Sequence, residues 1–337
     1  MSKTINILGI ESSCDDTSAA IISNRKILAN LIANQKVHAE YGGVVPELAS
    51  RAHQKNIVPV VSQALKKANL SLNDIDAIAY TRGPGLLGSL LVGGSFAKGL
   101  SMTLQKPLIE VNHMQAHILA HFIDDNASSP NFPFLCLTVS GGHTQIVLVR
   151  DYLKMEIIGE TLDDAAGEAF DKAAKMMGLP YPGGPLVDKY AQEGNAEKFS
   201  FNAGEMDNYN FSFSGLKTNI LYFLRKEVDK NPNFIQENLN DLCASIQKCI
   251  IDTLFVKLEK AVKDLNINEV AIAGGVSANS GIRKRLLEKE NQGWRVHIPK
   301  FEYCTDNAAM IAMVGFIKFQ ANDFSELSEA PQARLKF

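Results

Sequence analysis

The pair His113-Met-Gln-Ala-His117 carries the sharpest chemical signal in the chain. Residues four apart share one face of a helix, so two imidazoles at this spacing can reach a single metal ion. Taken alone, such a pair more often marks two ordinary surface or core histidines. His121 extends the stripe by another turn, as a further ligand or as a solvent-facing neighbour. A zinc-protease helix, His-Glu-x-x-His, puts its general base directly after the first histidine. Here Met114 and Gln115 follow, and neither takes a proton, which counts against that mechanism.

Gly83-Pro-Gly-Leu-Leu-Gly88 spells G-x-G-x-x-G, and Glu110 stands about 20 residues on, where a ribose-binding acid would be. Pro84 removes a backbone donor from that turn, and Gly93, Gly94 and Gly99 in the following helix point to close packing instead. More informative are three small-residue turns at strand ends: Val139-Ser-Gly-Gly-His143, Tyr181-Pro-Gly-Gly-Pro185 and Ala273-Gly-Gly-Val-Ser-Ala-Asn279. Exposed N–H groups at such turns and at helix starts bind phosphate, so together they suggest a bound nucleotide. No Gly-x-x-x-x-Gly-Lys-Ser/Thr is present, which excludes a P-loop. Acids cluster at Glu11, Asp15 and Asp16, at Asp163-Asp164, at Glu168 and Asp171, and at Asp306. For Asp163, Asp164 and Asp306, helix capping is the plain alternative to chemistry.

The elements that must hold these residues alternate. Strands are expected at Ile5–Ile10, Ser18–Ile22 and Ile27–Ala33, a helix at Pro46–Ala68, a strand at Ala77–Tyr80, a helix at Leu86–Leu104 and a strand at Leu108–Val111. The order then restarts, with strands at Leu135–Val139 and Gln145–Val149 and helices near Ala165–Met177 and Leu239–Leu265. A strand at Val270–Ala273, a helix through Ile282–Lys289 and a last helix at Asn307–Phe319 follow. Two halves therefore share a plan, each opening on a hairpin, Gly9–Thr17 and Val139–Thr144. The expected lobes are 1–112 and 113–337, with part of the C-terminal helix packing back and an insertion at about 180–238.

Composition sets the outer bounds. The 337 residues carry a net charge of −3, with 46% hydrophobic and 21% charged, an ordinary globular balance rather than a disordered or highly basic chain. Nucleic acid, if bound, needs a local basic patch; Lys217, Arg225, Lys226, Arg283, Lys284 and Arg285 are the candidates, though each taken singly reads more readily as part of a solvated helix face. No apolar run approaches the ~20 residues of a membrane span. The N-terminal segment shows no signal-peptide pattern, and five scattered cysteines suit a reducing cytoplasm.

With these motifs assembled, the chain closely resembles the TsaD (formerly Gcp) family of tRNA threonylcarbamoyladenosine transferases. The resemblance runs nearly end to end. It is carried by Gly9-Ile-Glu-Ser-Ser-Cys-Asp-Asp-Thr17, Tyr41-Gly-Gly-Val-Val-Pro-Glu-Leu-Ala-Ser-Arg51, His113-x-x-x-His117, Val139-Ser-Gly-Gly-His-Thr-Gln145, Gly167-Glu-Ala-Phe-Asp-Lys172, Tyr181-Pro-Gly-Gly-Pro185, Phe211-Ser-Phe-Ser-Gly-Leu-Lys-Thr218, Gly274-Gly-Val-Ser-Ala-Asn279 and Cys304-Thr-Asp-Asn307. It implies an α/β fold of two RNase-H-like lobes around a nucleotide cleft, that of the actin, sugar-kinase and Hsp70 ATPases. It also implies transfer of the threonylcarbamoyl group from threonylcarbamoyl-AMP to the exocyclic amine of adenosine 37, in tRNAs reading ANN codons, with release of AMP.

By the same resemblance, metal ligands fall on His113, His117 and Asp306, with iron or zinc as the ion. Substrate-binding positions fall on Thr138, Val139, Ser140, Gly141, Gly142, Asp171, Gly184, Asp188 and Asn279, and a catalytic acid on Asp15. Asp16 departs from the glutamate of many relatives and is given no role; Thr138 is often a larger apolar residue. The implied partners are tRNA, a TsaB-like paralogue, a TsaE-like P-loop ATPase and a TsaC-like supplier of the adenylate. The implied location is the cytoplasm.

Overall fold

A computed structural model describes residues 4–204 and 206–337; Met1–Lys3, part of the N-terminal segment considered above, lie outside the described residues. The chain forms two compact units, Met1–Ser129 with Pro299–Phe337, and Pro130–Ile298.

The first unit opens with an antiparallel meander, β1 (Asn6–Glu11), β2 (Thr17–Ser23) and β3 (Lys26–Ala33). Helix α1 (Pro46–Ala68) starts on a proline, which needs no N–H partner there, and ends at Asn69 in the left-handed conformation. Then come β4 (Ala77–Gly83), α2 (Leu87–Leu104), β5 (Leu108–Asn112) and the short α3 (His113–Leu119). Strand order is β3-β2-β1-β4-β5, with β1, β4 and β5 parallel.

The second unit repeats that plan. Its strands are β6 (Phe134–Val139), β7 (Thr144–Asp151) and β8 (Lys154–Glu160), followed by α4 (Ala166–Met176), α5 (Gly184–Ala191), α6 (Ser214–Lys230), the single turn α7 (Phe234–Glu237) and α8 (Leu239–Leu265). Strand β9 (Glu269–Ala273), α9 (Ser280–Glu290) and β10 (Arg295–His297) complete it. The order β8-β7-β6-β9-β10 has the same antiparallel and parallel pairings as the first sheet.

The chain then returns to the first unit as α10 (Ala308–Gln320). Alternation along β1 sends Leu8 and Ile10 into the core under α1, and turns Ile7 and Gly9 toward α10. A methyl group on Gly9 would sit 2.6 Å from the Ala308 carbonyl oxygen, and one on Gly315 would sit 2.5 Å from Ala79 Cβ. The two glycines let helix and strands touch at backbone distance. The expected boundary at 112/113 is therefore corrected to 129/130 and 298/299. Segment 113–129 and all of α10 belong with the first unit, because α3 packs on α10, β4 and β5, and α10 packs on β1, β2 and β4.

Candidate metal centre and substrate pocket

Helix α3 begins at His113 because Asn112 caps it: the Asn112 Oδ1 accepts from the N–H groups of Met114 at 2.9 Å and Gln115 at 3.2 Å. His117 follows one turn later, with the two rings edge to face at 4.7 Å between centroids. Asp306 precedes α10, and Asn307, not Asp306, supplies that helix's cap by accepting from the Met310 N–H at 3.1 Å. Asp306 is thereby free for other work. Its Oδ1 lies 3.3 Å from the Nε2 atoms of both His113 and His117.

Among the described residues, His113, His117 and Asp306 form the group whose donor atoms all fall within 4.8 Å of one another. His121 sits in the next turn, Ala120–Phe122, outside this group. The donor set fits a borderline or hard divalent cation, and three protein donors leave coordination positions open. His117 turns Nε2 toward the same Asp306 oxygen as His113 Nε2, so two imidazole nitrogens and one carboxylate oxygen converge as the chemistry of such a cation requires.

Behind His113 stands a group that the sequence did not single out for this purpose. The carboxylate of Glu11, fully buried at the end of β1, lies 3.1 Å from His113 Nδ1 through its Oε2. It also accepts from Thr81 Oγ1 at 2.6 Å and, through Oε1, from the Ser13 N–H. Donation from Nδ1 to Glu11 fixes the tautomer of the neutral ring, whose unprotonated nitrogen is then Nε2, the one that faces Asp306. The signal available in sequence was a charged residue closing an otherwise apolar strand. Burial alone would lower the His113 pKa, but the Asp306 and Glu11 carboxylates outweigh it and hold it well above the usual histidine value. Burial would likewise raise Asp306 and Glu11, and His113 outweighs it in both, holding each carboxyl below its usual range. His117 is held low, chiefly by burial.

The β1–β2 turn carrying Asp15 and Asp16 adjoins this cluster through Ser13, whose Oγ lies 3.1 Å from His113 Nδ1. Burial, and then the charges of Asp15 and Asp306, push the Asp16 carboxyl up to about 7. The Gly83–Gly88 turn serves the same loop. Its Leu86 N–H donates to the Ser13 carbonyl at 2.7 Å and its Gly85 N–H to the Ala333 carbonyl at 3.2 Å. Backbone donors that a dinucleotide would need are taken by the chain itself, and a side chain on Gly85 would strike Ser13.

In the second unit a cavity of about 250 Å³ is lined by Gly141, Asp171, Gly184, Asp188 and Asn279, together with Gly275 and Val276. Five of the nine expected substrate positions meet there. Asp171 Oδ1 accepts from the Gly183 and Gly184 N–H groups at 2.8 and 2.9 Å, which fixes the turn opening α5. Asp188 holds the start of α9 through Ser280, at 3.0 Å to its N–H and 2.7 Å to its Oγ. Asn279 caps α9 at the Ile282 N–H and donates to Gln247 Oε1 at 2.7 Å. Thr138 and Val139 are fully buried in β6, and Ser140 and Gly142 lie outside the cavity lining. Added side chains at Gly141, Gly142 and Gly275 would meet nothing within 4 Å, so packing does not demand glycine there. A larger hollow of about 540 Å³ beside α8, lined by Phe199, Phe201, Lys248 and Lys257 among others, contains none of the expected residues.

The other acids resolve differently. Asp163 caps α6 rather than α4, accepting from the Phe213 N–H at 2.8 Å and the Ser214 Oγ at 2.7 Å, and Asp164 pairs with Lys172 at 2.6 Å. Of the basic candidates, Arg285 is paired with Asp252 and Arg283 donates to the Ser277 carbonyl, while Lys217, Arg225, Lys226 and Lys284 are exposed. All five cysteines are free, and no described helix is long and apolar enough to cross a membrane.

Two five-stranded sheets of one topology, each flanked by helices, make this an α/β chain of the actin, sugar-kinase and Hsp70 class. Solved structures agree on that fold. Full-length HypF in its phosphate- and nucleotide-bound form matches with a TM-score of 0.61 at 15% identity, covering 95% of this chain and 47% of HypF. Component A of (R)-2-hydroxyglutaryl-CoA dehydratase from Acidaminococcus fermentans matches with a TM-score of 0.54 at 16% identity, covering 93% and 98%. The family model described as TsaD, tRNA N6-adenosine threonylcarbamoyltransferase, matches residues 26–313. Curated relatives of that name from Riemerella anatipestifer and Christiangramia forsetii are each 64% identical, covering 97% of both chains in the first case and 99% and 98% in the second. The chain belongs to the TsaD family of tRNA N6-adenosine threonylcarbamoyltransferases.

Proposed function

We propose that this transferase moves the threonylcarbamoyl group of threonylcarbamoyl-AMP to the exocyclic amine of adenosine 37, in tRNAs reading ANN codons, and releases AMP. The observation that carries the reading is the convergence of His113, His117 and Asp306, drawn from two distant stretches of a chain that belongs to this family. These three residues would hold one divalent cation, iron or zinc, which when bound supplies Lewis-acid polarisation of the threonylcarbamoyl carbonyl. Glu11 holds His113 in the tautomer that presents Nε2.

In the transfer the amine nitrogen forms a bond to the carbamoyl carbon, the bond from that carbon to the phosphate oxygen breaks, and AMP leaves with the electron pair. Asp15 accepts the proton that the amine must shed. An adenine amine is a poor nucleophile, so orientation and stabilisation of developing charge carry most of the rate. In the second unit, Gly141, Asp171, Gly184, Asp188 and Asn279 shape the adenylate pocket, and Thr138, Val139, Ser140 and Gly142 form the strand end and turn that present Gly141 to it. We read 180–238 as an insertion that supplies Gly184 and Asp188 and presents Lys217, Arg225 and Lys226 to tRNA phosphates, with Lys284 nearby in function. The net charge of −3 gives little general attraction for tRNA, which favours shared binding with a TsaB-like paralogue and a TsaE-like ATPase, with a TsaC-like enzyme making the adenylate in the cytoplasm.

The test is reconstitution from purified chain, partners, adenylate and unmodified tRNA, read by nucleoside mass spectrometry. Asp15→Asn is expected to retain metal and nucleotide while turnover falls roughly 10²–10⁴-fold, the range for a general base. Undiminished modification with His113 and His117 both replaced would overturn the reading. Metal-dependent cleavage of a defined peptide would do the same, since Met114 and Gln115 provide no base for it.

A further inference from the structure

One imidazole outside the metal cluster spans the turn that carries Asp15. His53 lies on α1, fully buried, with Nε2 3.0 Å from the Cys14 carbonyl oxygen and Nδ1 2.8 Å from Thr17 Oγ1. A carbonyl only accepts, so the ring proton sits on Nε2, and Nδ1 must accept from the Thr17 hydroxyl. The ring thus grips the turn just before Asp15 and just after Asp16. A second donor reaches the same oxygen from α2: Ser89 Oγ, at 2.9 Å. The Cys14 C=O and the Asp15 N–H belong to one rigid peptide plane, so two donors from two helices fix the plane from which the Asp15 backbone departs.

We propose that His53 is a positioning residue for the transfer reaction, clamping the Cys14–Thr17 turn so that the Asp15 carboxylate is held ready for the amine. This rests on the assignment of Asp15 as the proton acceptor. Burial lowers the His53 pKa, so the ring stays neutral and adds no positive charge that would weaken a nearby base. His53 has no contact with the cation donors; the cluster is tied to this loop through Ser13 and Glu11 instead. Glutamine can both donate and accept through one amide group and so can replace the imidazole's two bonds, whereas alanine replaces neither.

The experiment measures kcat and both KM values in the reconstituted reaction, with metal content by mass spectrometry, for His53→Ala, His53→Gln, Asp15→Asn and the double variant His53→Ala/Asp15→Asn. His53→Ala is expected to lower kcat about 10²-fold, the cost of a small misplacement of a reacting group, with KM and metal content unchanged. His53→Gln recovers most of that loss. In the Asp15→Asn background, His53→Ala adds nothing, because both changes remove the same contribution. A wild-type kcat in His53→Ala, a His53→Gln as slow as His53→Ala, or loss of metal would overturn the proposal. So would a slow Asp15→Asn that His53→Ala slows further, which removes His53's role and leaves that of Asp15. A wild-type rate in Asp15→Asn alone instead removes Asp15, and the positioning role with it. Should His53→Ala not fold, Thr17→Val and Ser89→Ala each delete one clamp hydroxyl, and the same kcat loss or its absence in the folded variants decides.

Discussion

Replacing Glu11 by glutamine conserves volume but breaks the logic of its neighbours. Both Glu11 oxygens face donors: the Ser13 N–H on one, and Thr81 Oγ1 and His113 Nδ1 on the other. An amide has only one accepting atom. The Ser13 N–H cannot turn away, so the amide oxygen must face it, and the NH₂ then points at Thr81 and His113. The Thr81 hydroxyl can rotate to accept. His113 can accept only by moving its proton from Nδ1 to Nε2, the nitrogen 3.3 Å from Asp306. The variant therefore loses a buried negative charge and blocks one of the cation's donors. Substitutions of carboxylates behind a ligating histidine cost about 10- to 100-fold in metal affinity, or about 1.4–2.8 kcal/mol. Competition against a chromophoric chelator at neutral pH measures this directly, with a thermal melt to establish that the fold persists. Thr81→Val, which leaves the Glu11–His113 bond intact, should shift affinity less. A folded Glu11→Gln protein with wild-type metal affinity would refute the argument that Glu11 sets the His113 tautomer.

Asp306→Ala is expected to abolish metal binding, whereas Asn307→Ala should cost about 1 kcal/mol of stability as a lost helix cap and keep the metal; chelator titration beside urea unfolding separates the two, and the reverse pattern would restore Asp306 as a cap. Gly9→Ala should destabilise the first unit by about 1–3 kcal/mol, because the new methyl meets the Ala308 carbonyl at 2.6 Å, and an unchanged urea midpoint would contradict that packing. Glu269 accepts from the Asn131 N–H at 2.9 Å and from His297 Nε2 at 2.8 Å, and these bonds outweigh burial to hold its pKa below 4.5. Its contribution is complete above about pH 4.5 and is lost as pH falls through the depressed value, so Glu269→Gln should flatten the acid limb of the stability curve there. Identical acid limbs in the two proteins would remove Glu269 from the acid response.

Much of the architecture was legible residue by residue. Helices Pro46–Ala68 and Leu239–Leu265 were expected at the bounds they have, because apolar periodicity over many turns is a local property of the chain. The hairpins that open each unit and the helical spacing of His113 and His117 were equally local. Strand β8, with the mixed sequence Lys-Met-Glu-Ile-Ile-Gly-Glu at a sheet edge, and the three-residue β10 gave no comparable periodicity and went unseen, as did α5, α6 and α7. The resemblance named Asp306, but no spacing rule brings it to His117, 189 positions away. That approach exists because α10 crosses back onto the first sheet, seated there by Gly9 and Gly315. The choice between Asp306 and Asn307 as helix cap, the capture of the Gly83–Gly88 turn by Ser13 and Ala333, and the bonds of Glu11 and His53 were settled in the same way. Periodicity and capping depend on neighbours within a few residues, so a sequence displays them. Which distant donor a buried carboxylate or imidazole meets depends on how the whole unit closes, and only the folded chain decides it.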